Sequence, residues 1–279
     1  MSGISELALL KTILPLLPGN DQVIVGPGDD CAVLKWNEEY DLLVTVDQLI
    51  ESVHYTPETP PEEAGAKLMK RNLSDIAAMG GEPLWAVVTL AAGSDRGRLA
   101  KFMAGAAREA ARYGTALCGG DISALPSEGV VTTLTLAGRV PRDQAILRSG
   151  ARPGDLLYVT GEIGNSFLSG HHLSFTPRLA EGQALRGKAR AMLDISDGLL
   201  LDARRMAQSS RVDLEIDVSA VPLRAGARLP DALSDGEDYE LLFCGPPGLP
   251  GTVIGRVLSG DGEVKTPGLT EIGKYGYEH

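Results

Sequence analysis

Lys67-Leu68-Met69-Lys70-Arg71-Asn72-Leu73-Ser74-Asp75-Ile76-Ala77-Ala78-Met79-Gly80-Gly81 is the stretch that decides the reading of this chain. It holds no proline and is rich in helix formers, so it predicts a helix ended by Gly80-Gly81. Leu68, Asn72, Asp75 and Met79 recur at helical spacing and share one face. Aspartate is a poor residue inside a helix, and burying its charge without a partner is costly. Unless that face is solvated, Asp75 beside Leu68 and Met79 calls for a hydrogen-bond network or a metal ion.

Working outward, other aspartates stand in similar settings. Gly26-Pro27-Gly28-Asp29-Asp30-Cys31-Ala32-Val33-Leu34 sets two carboxylates between a glycine turn and a strand. The strand 41–47 ends on Asp47, and His54 follows. Beyond the central helix come a strand at 83–90 and a helix at roughly 95–113. Ala116-Leu117-Cys118-Gly119-Gly120-Asp121 then repeats the order strand, glycines, aspartate, and 130–140 is a long strand. In the second half, 156–160 and 213–218 read as strands. Asp194-Ile195-Ser196-Asp197-Gly198 precedes a helix that Ser196 or Asp197 would cap. Ser234-Asp235-Gly236-Glu237-Asp238-Tyr239-Glu240 is an acidic turn before an apolar strand. Leu7, Leu10, Leu14 and Leu17 predict a short amphipathic helix near the N-terminus, with Ser5 as its cap. The segment 165–190 yields no assignment.

At 279 residues the chain is long enough for two domains. Pro141, Gly150, Pro153 and Gly154 mark the boundary, giving 1–140 and 141–279, with Arg148 in the connection. The net charge is −11, and no basic patch speaks for a nucleic-acid partner. No apolar run approaches the ~20 residues of a membrane helix, and no signal-type core opens the chain, so a cytoplasmic protein is expected. Cys31, Cys118 and Cys244 are isolated and read as buried free thiols. Four histidines and no nucleophile elbow argue against a zinc site or a serine triad.

Asp29, Asp30, Asp47, Asp75, Asp121, Asp194 and Asp197 all fall at strand ends, glycine turns or a helix face. Carboxylates without histidine or cysteine partners are hard oxygen ligands that suit Mg²⁺. An acidic site bridged by Mg²⁺ can take a phosphate-bearing substrate, which points to phosphoryl transfer. The GxxxxGK[ST] loop and the protein-kinase motif set are both missing, so any ATP site belongs to another architecture.

Gly28–Leu34, Thr45-Val46-Asp47, His54, Asn72–Gly80, Gly119-Gly120-Asp121, Asp194–Leu199 and Gly236–Leu241 resemble the thiamine-monophosphate kinases. These belong to the ATP-binding superfamily that includes aminoimidazole-ribotide synthetase and selenophosphate synthetase. The resemblance implies an α/β (α+β) chain of two mixed-sheet domains. The N-terminal sheet would form a barrel across a homodimer, and the C-terminal α/β domain would complete the cleft. It implies that ATP phosphorylates thiamine monophosphate directly and in line, with Mg²⁺. It assigns Mg²⁺ to Asp30, Thr45, Asp47, Asp75, Asp121, Asp194 and Asp197. ATP falls to Gly120, Asp121, Arg148 and Ser196, and thiamine monophosphate to His54 and Glu237. No side chain is assigned as a catalytic acid, base or nucleophile. Val46 stands where the family often has a hydroxyl residue, and 165–190 and 219–233 look short. Lys274, with Tyr275 beside it, replaces an aromatic expected to touch the thiamine. Another ATP-dependent synthetase of the superfamily, or a non-catalytic nucleotide-binding homologue, is the alternative.

Overall fold

The structure is a computed structural model that describes residues 6–93, 95–269 and 276. Ser5, Lys274 and Tyr275, named above, lie outside the described residues. The first half runs α1 (Glu6–Ile13), β1 (Val23–Val25), β2 (Ala32–Lys35), β3 (Tyr40–Ile50), α2 (Pro61–Ala78), β4 (Glu82–Ala92), α3 (Arg96–Arg112), β5 (Ala116–Ala124) and β6 (Val130–Pro141). The second runs β7 (Leu156–Val159), α4 (His171–Ser174), α5 (Leu179–Leu185), β8 (Ala191–Asp194), α6 (Leu199–Ser210), β9 (Asp213–Ile216), α7 (Leu229–Ser234), β10 (Leu241–Gly245), β11 (Thr252–Leu258) and β12 (Val264–Lys265).

Two mixed sheets result. The first, a curled half-barrel, has the order β1-β2-β3-β6-β4-β5 and is antiparallel except for the parallel β4–β5 pair. Its spine is the β3–β6 ladder, from Tyr40 opposite Pro141 to Ile50 opposite Val131. The second sheet has the order β12-β9-β11-β7-β10-β8, with only β12 parallel to its neighbour. No helix among the described residues is long and apolar enough to cross a membrane.

α2 is the hub. It touches β3, β6, α3, α4, α5 and β8, so it is buried on nearly every side despite its many polar residues. It starts at Pro61, earlier than its periodic core suggests, with proline at its first turn followed by Glu62 and Glu63. Its end is the predicted one. Gly80 has φ +68°, its N–H donates to Ala77 O, and Gly81 N–H donates to Ile76 O, which is a Schellman motif. α3 lies against α2 through glycines: a Cβ on Gly105 would sit 1.9 Å from Glu62 O, and one on Gly65 1.9 Å from Phe102 O.

One apolar core joins the first sheet, α2 and α3 with Tyr158, Leu179, Leu185, Met192, Leu241 and Phe243 of the second half. A second core fills the space between the second sheet and α6. The unassigned segment 165–190 forms α4 and α5, short helices held by tertiary contact. Gly182 of α5 packs so closely that a Cβ there would meet Ala77 O at 2.1 Å. Cys31 and Cys244 are buried free thiols, but Cys118 is exposed, a correction that follows from its place on edge strand β5.

Candidate active site

α2 carries its polar residues to a cleft where β3, the 26–31 turn and the end of β8 meet. Asp30, Asp75 and Asp194 each present a carboxylate oxygen there, and these oxygens lie within 4.8 Å of one another. Asp30 and Asp194 are buried, and Asp75 is half-buried. Thr45 Oγ1 donates to Asp75 Oδ2 at 2.5 Å, and Ser74 Oγ donates to Asp194 Oδ2 at 2.6 Å. Arg148 Nη2 donates to Asp30 Oδ1 at 2.7 Å, while Asp30 Oδ2 is buried with no hydrogen-bond partner. Burial, and then the charges of Asp47, Asp194 and Asp30, push the Asp75 carboxyl well above its ordinary range. Burial and the charge of Asp30 do the same to Asp194. Three carboxylates with an orphaned oxygen form a donor set that a hard divalent cation fits.

Asp47 and Asp197 lie outside that group, each already paired. Arg71 Nη2 donates to Asp47 Oδ1 at 3.2 Å, and Arg205 Nη1 donates to Asp197 Oδ2 at 2.5 Å. The Ser196-Asp197 turn is fixed from behind, because both backbone N–H groups donate to Asp202 Oδ2. Gly198 (φ +115°) and Gly236 let this turn lie against the 234–237 turn: a Cβ on Gly236 would meet Ser196 O at 2.3 Å. Glu237 N–H donates to Ser196 O at 2.7 Å, so the two loops form one wall. Glu237 and Tyr239 hold φ of +65° and +53°, a strained backbone kept by this packing.

A cavity of ≈ 310 Å³ opens along that wall, and its lining includes His54, Arg71, Phe167, Ser196, Asp197 and Glu237. His54 is buried, and its Nδ1 accepts from Ile50 N–H at 3.0 Å. Glu237 Oε2 accepts from Lys67 Nζ at 2.5 Å, and Lys67 also reaches His54 O at 2.6 Å and His172 Nδ1 at 2.9 Å. Burial alone would raise the Glu237 carboxyl, but the His172 bond and the Lys67 charge overcome it and hold it at about 2. Burial draws Lys67 down to about 8. Both values leave the pair ionised at neutral pH. Lys67, His172 and Phe167 were not singled out in the sequence. A lysine within a helix reads as a solvated one, and only the all-round burial of α2 reveals otherwise.

Gly120 and Asp121 stand apart. Asp121 lies opposite Thr89, which lies opposite Thr133, which lies opposite Gln48. Alternate strand residues face opposite ways, so Asp121 shares the sheet face of Gln48 rather than that of Thr45 and Asp47. It is also three strands from β3, roughly 14 Å along the sheet. Within one chain the structure does not bring it to the three clustered carboxylates.

A family profile described as AIR synthase related protein, N-terminal domain, matches residues 28–140. The thiamine-monophosphate kinase of Rhodopirellula baltica is 33% identical, over 99% of this chain and 96% of its own. That of Haemophilus influenzae is 34% identical, over 82% of this chain and 77% of its own. A solved structure of AaThiL complexed with AMPPCP and TMP superposes with a TM-score of 0.87 at 33% identity, covering 99% of this chain and 97% of that one. A chain of the HypE-HypF complex shares the fold, with a TM-score of 0.71 at 14% identity. By its identity to these relatives over almost its whole length, the chain belongs to the thiamine-monophosphate kinase family.

Proposed function

We propose that this chain transfers the γ-phosphoryl group of ATP to thiamine monophosphate, giving ADP and thiamine diphosphate. The observation that carries the reading is the convergence of Asp30, Asp75 and Asp194, linked through Asp47 and its partner Arg71 to the cavity walled by the 234–239 turn. It agrees with the TMP and AMPPCP bound in the related AaThiL structure.

Asp30, Asp75 and Asp194 would hold Mg²⁺ with Thr45, Asp47 and Asp197, and Arg148 and Ser196 would face ATP. Bound Mg²⁺ supplies charge neutralisation for phosphate oxygens. The remaining work falls to the chain. Arg148 offers a guanidinium to phosphate oxygens, with its Nε buried and without a hydrogen-bond partner. His54 and Glu237 line the cavity and orient thiamine monophosphate. The acceptor is already an anionic phosphate oxygen, so direct in-line attack needs no general base and leaves no phosphoenzyme. The units 1–140 and 141–279 close the cleft between them. A cytoplasmic setting suits free thiols and supplies ATP with Mg²⁺.

The chain acts as a homodimer whose first sheets pair into a barrel. Val46 and Trp85 are 60% and 41% exposed on one face of the sheet, on β3 and β4, an apolar surface that a second copy would cover. Dimerisation also gives Gly120 and Asp121, stranded in one chain, a route to the site.

The test is ADP release from purified protein given ATP and thiamine monophosphate, with and without Mg²⁺, and with thiamine diphosphate identified by mass. Mg²⁺-dependent product is expected. Hydrolysis or binding of ATP without thiamine diphosphate would overturn the reading.

A further inference from the structure

Phosphoryl transfer needs no phenyl ring, yet Phe167 stands in the cavity wall, 47% exposed. Among the described lining residues the other phenyl-type ring is Tyr239. That ring is buried and stacked on Phe175, with centroids 4.1 Å apart, so it is committed to the core. One face of Phe167 stacks on the buried His172 ring, at 4.3 Å between centroids and 21° between planes. His172 is in turn held by Lys67 Nζ, which carries Glu237. The phenyl ring is therefore preset by a fixed imidazole, and its remaining exposed surface is left to the cavity and solvent.

Thiamine monophosphate has two planar heteroaromatic rings, and its thiazolium bears a permanent positive charge. Aromatic faces hold such rings by stacking and by attraction of the cation to the ring quadrupole. We infer that Phe167 is the aromatic wall that binds a thiamine ring, in the order ring–Phe167–His172, and so selects planar cationic substrates. The inference rests on the proposed kinase reading and adds a specificity residue to it. Phe167 lies within the segment 165–190 that the sequence left unassigned. The same contact chain runs to Glu237, so the aromatic and acidic contacts to the substrate are set by one buried lysine.

The test compares Phe167→Leu and Phe167→Trp with the parent enzyme, by steady-state kinetics and by calorimetric binding of thiamine monophosphate. Leucine keeps the apolar cover over His172 but removes the aromatic face. The expected result for leucine is a roughly tenfold rise in KM and Kd for thiamine monophosphate, about 1.4 kcal/mol, with kcat and the KM for ATP little changed. Tryptophan should restore tight binding. A deazathiamine monophosphate, whose thiazolium is replaced by a neutral thiophene, should lose less from the leucine change. Unchanged binding in Phe167→Leu would overturn the inference. So would equal weakening by leucine and tryptophan with matching falls in Tm, which would mark a packing role. If the parent protein makes no thiamine diphosphate, the kinase reading fails on its own. Calorimetry then still decides Phe167: a weaker thiamine monophosphate complex in leucine upholds it, and an equal or undetectable complex in both overturns it.

Discussion

Lys67 Nζ lies 2.5 Å from Glu237 Oε2, joining the middle of α2 to the turn that walls the cavity. The lysine side chain is fully buried and the glutamate is 20% exposed. The ammonium donates to His54 O and Glu237 Oε2, and His172 Nδ1 lies 2.9 Å from it. Removing one partner of such a pair leaves the other charge buried, which costs about 3 kcal/mol or more. Lys67→Met is therefore expected to lower stability by that amount in urea titration and to raise the KM for thiamine monophosphate. The double variant Lys67→Met, Glu237→Gln should regain part of the stability but not the KM. If the two single changes added without coupling, the pair would not be a unit.

Asp75→Asn separates function from stability. Burial first, and then the charges of Asp47, Asp194 and Asp30, raise the pKa of Asp75 and disfavour its charge. Removing that charge relieves repulsion in the metal-free protein, so Tm with chelator should be equal to or above that of the parent. Turnover should fall on the order of a hundredfold or more. Mg²⁺ should raise the parent's Tm by mass action, about 2.7 kcal/mol of stability at a hundred times Kd, and should raise that of the variant far less. Parental activity in Asp75→Asn would overturn the metal assignment.

How much of this was legible in the sequence follows from where the information lies. The strand at 130–140 and the helix at 95–113 match β6 and α3 closely, because alternation and 3.6-residue periodicity are local signals. The glycine stop of α2 was legible for the same reason. Its start also carries a local signal, Pro61 followed by Glu62 and Glu63, upstream of the stretch that begins at Lys67. α4 and α5 were not legible. They have 4 and 7 residues, too short for periodicity, and depend on contacts such as Gly182 against Ala77. Hard-ligand chemistry was readable from the aspartates, but their grouping was not. Asp194 joins Asp75 through Ser74 across the fold, whereas Asp121, with the same local grammar, falls on the other sheet face.

His171 gives a pH dependence. Burial, then the charge of Arg224, pushes its imidazole from 6.5 down to about 4, against a bond from its ring to Asp238 O and with smaller contributions from Arg178 and Lys70. Between pH ~6.5 and ~4 the unfolded chain binds this proton and the folded one does not, so stability falls as pH falls through that window. His171→Gln cannot titrate. The stability of the parent relative to the variant should therefore shrink on acidification from 6.5 to 4 and stay constant above 7. A difference that is flat with pH, measured by thermal melts, would overturn this.

Gly105 tests the close approach of α3 to α2. Glycine inside a helix normally weakens it by about 1 kcal/mol relative to alanine, so propensity alone predicts that Gly105→Ala stabilises. Packing predicts the reverse. The added methyl would lie 1.9 Å from Glu62 O and 2.6 Å from its carbonyl carbon, both backbone atoms that cannot swing aside. The helices must move apart, and overpacking of this kind costs roughly 1–3 kcal/mol. A net loss is expected in urea titration. Because α2 also carries Lys67, Ser74 and Asp75, the shift should reach the cleft and weaken Mg²⁺-linked stabilisation. Gly97→Ala is the control. It lies in the first turn of α3, where the added methyl meets only an Asp95 side-chain oxygen at 3.4 Å. It should leave both stability and the Mg²⁺ response near the parent's. A Gly105→Ala protein as stable as Gly97→Ala would mean that the two helices do not pack as closely as the backbone contact requires.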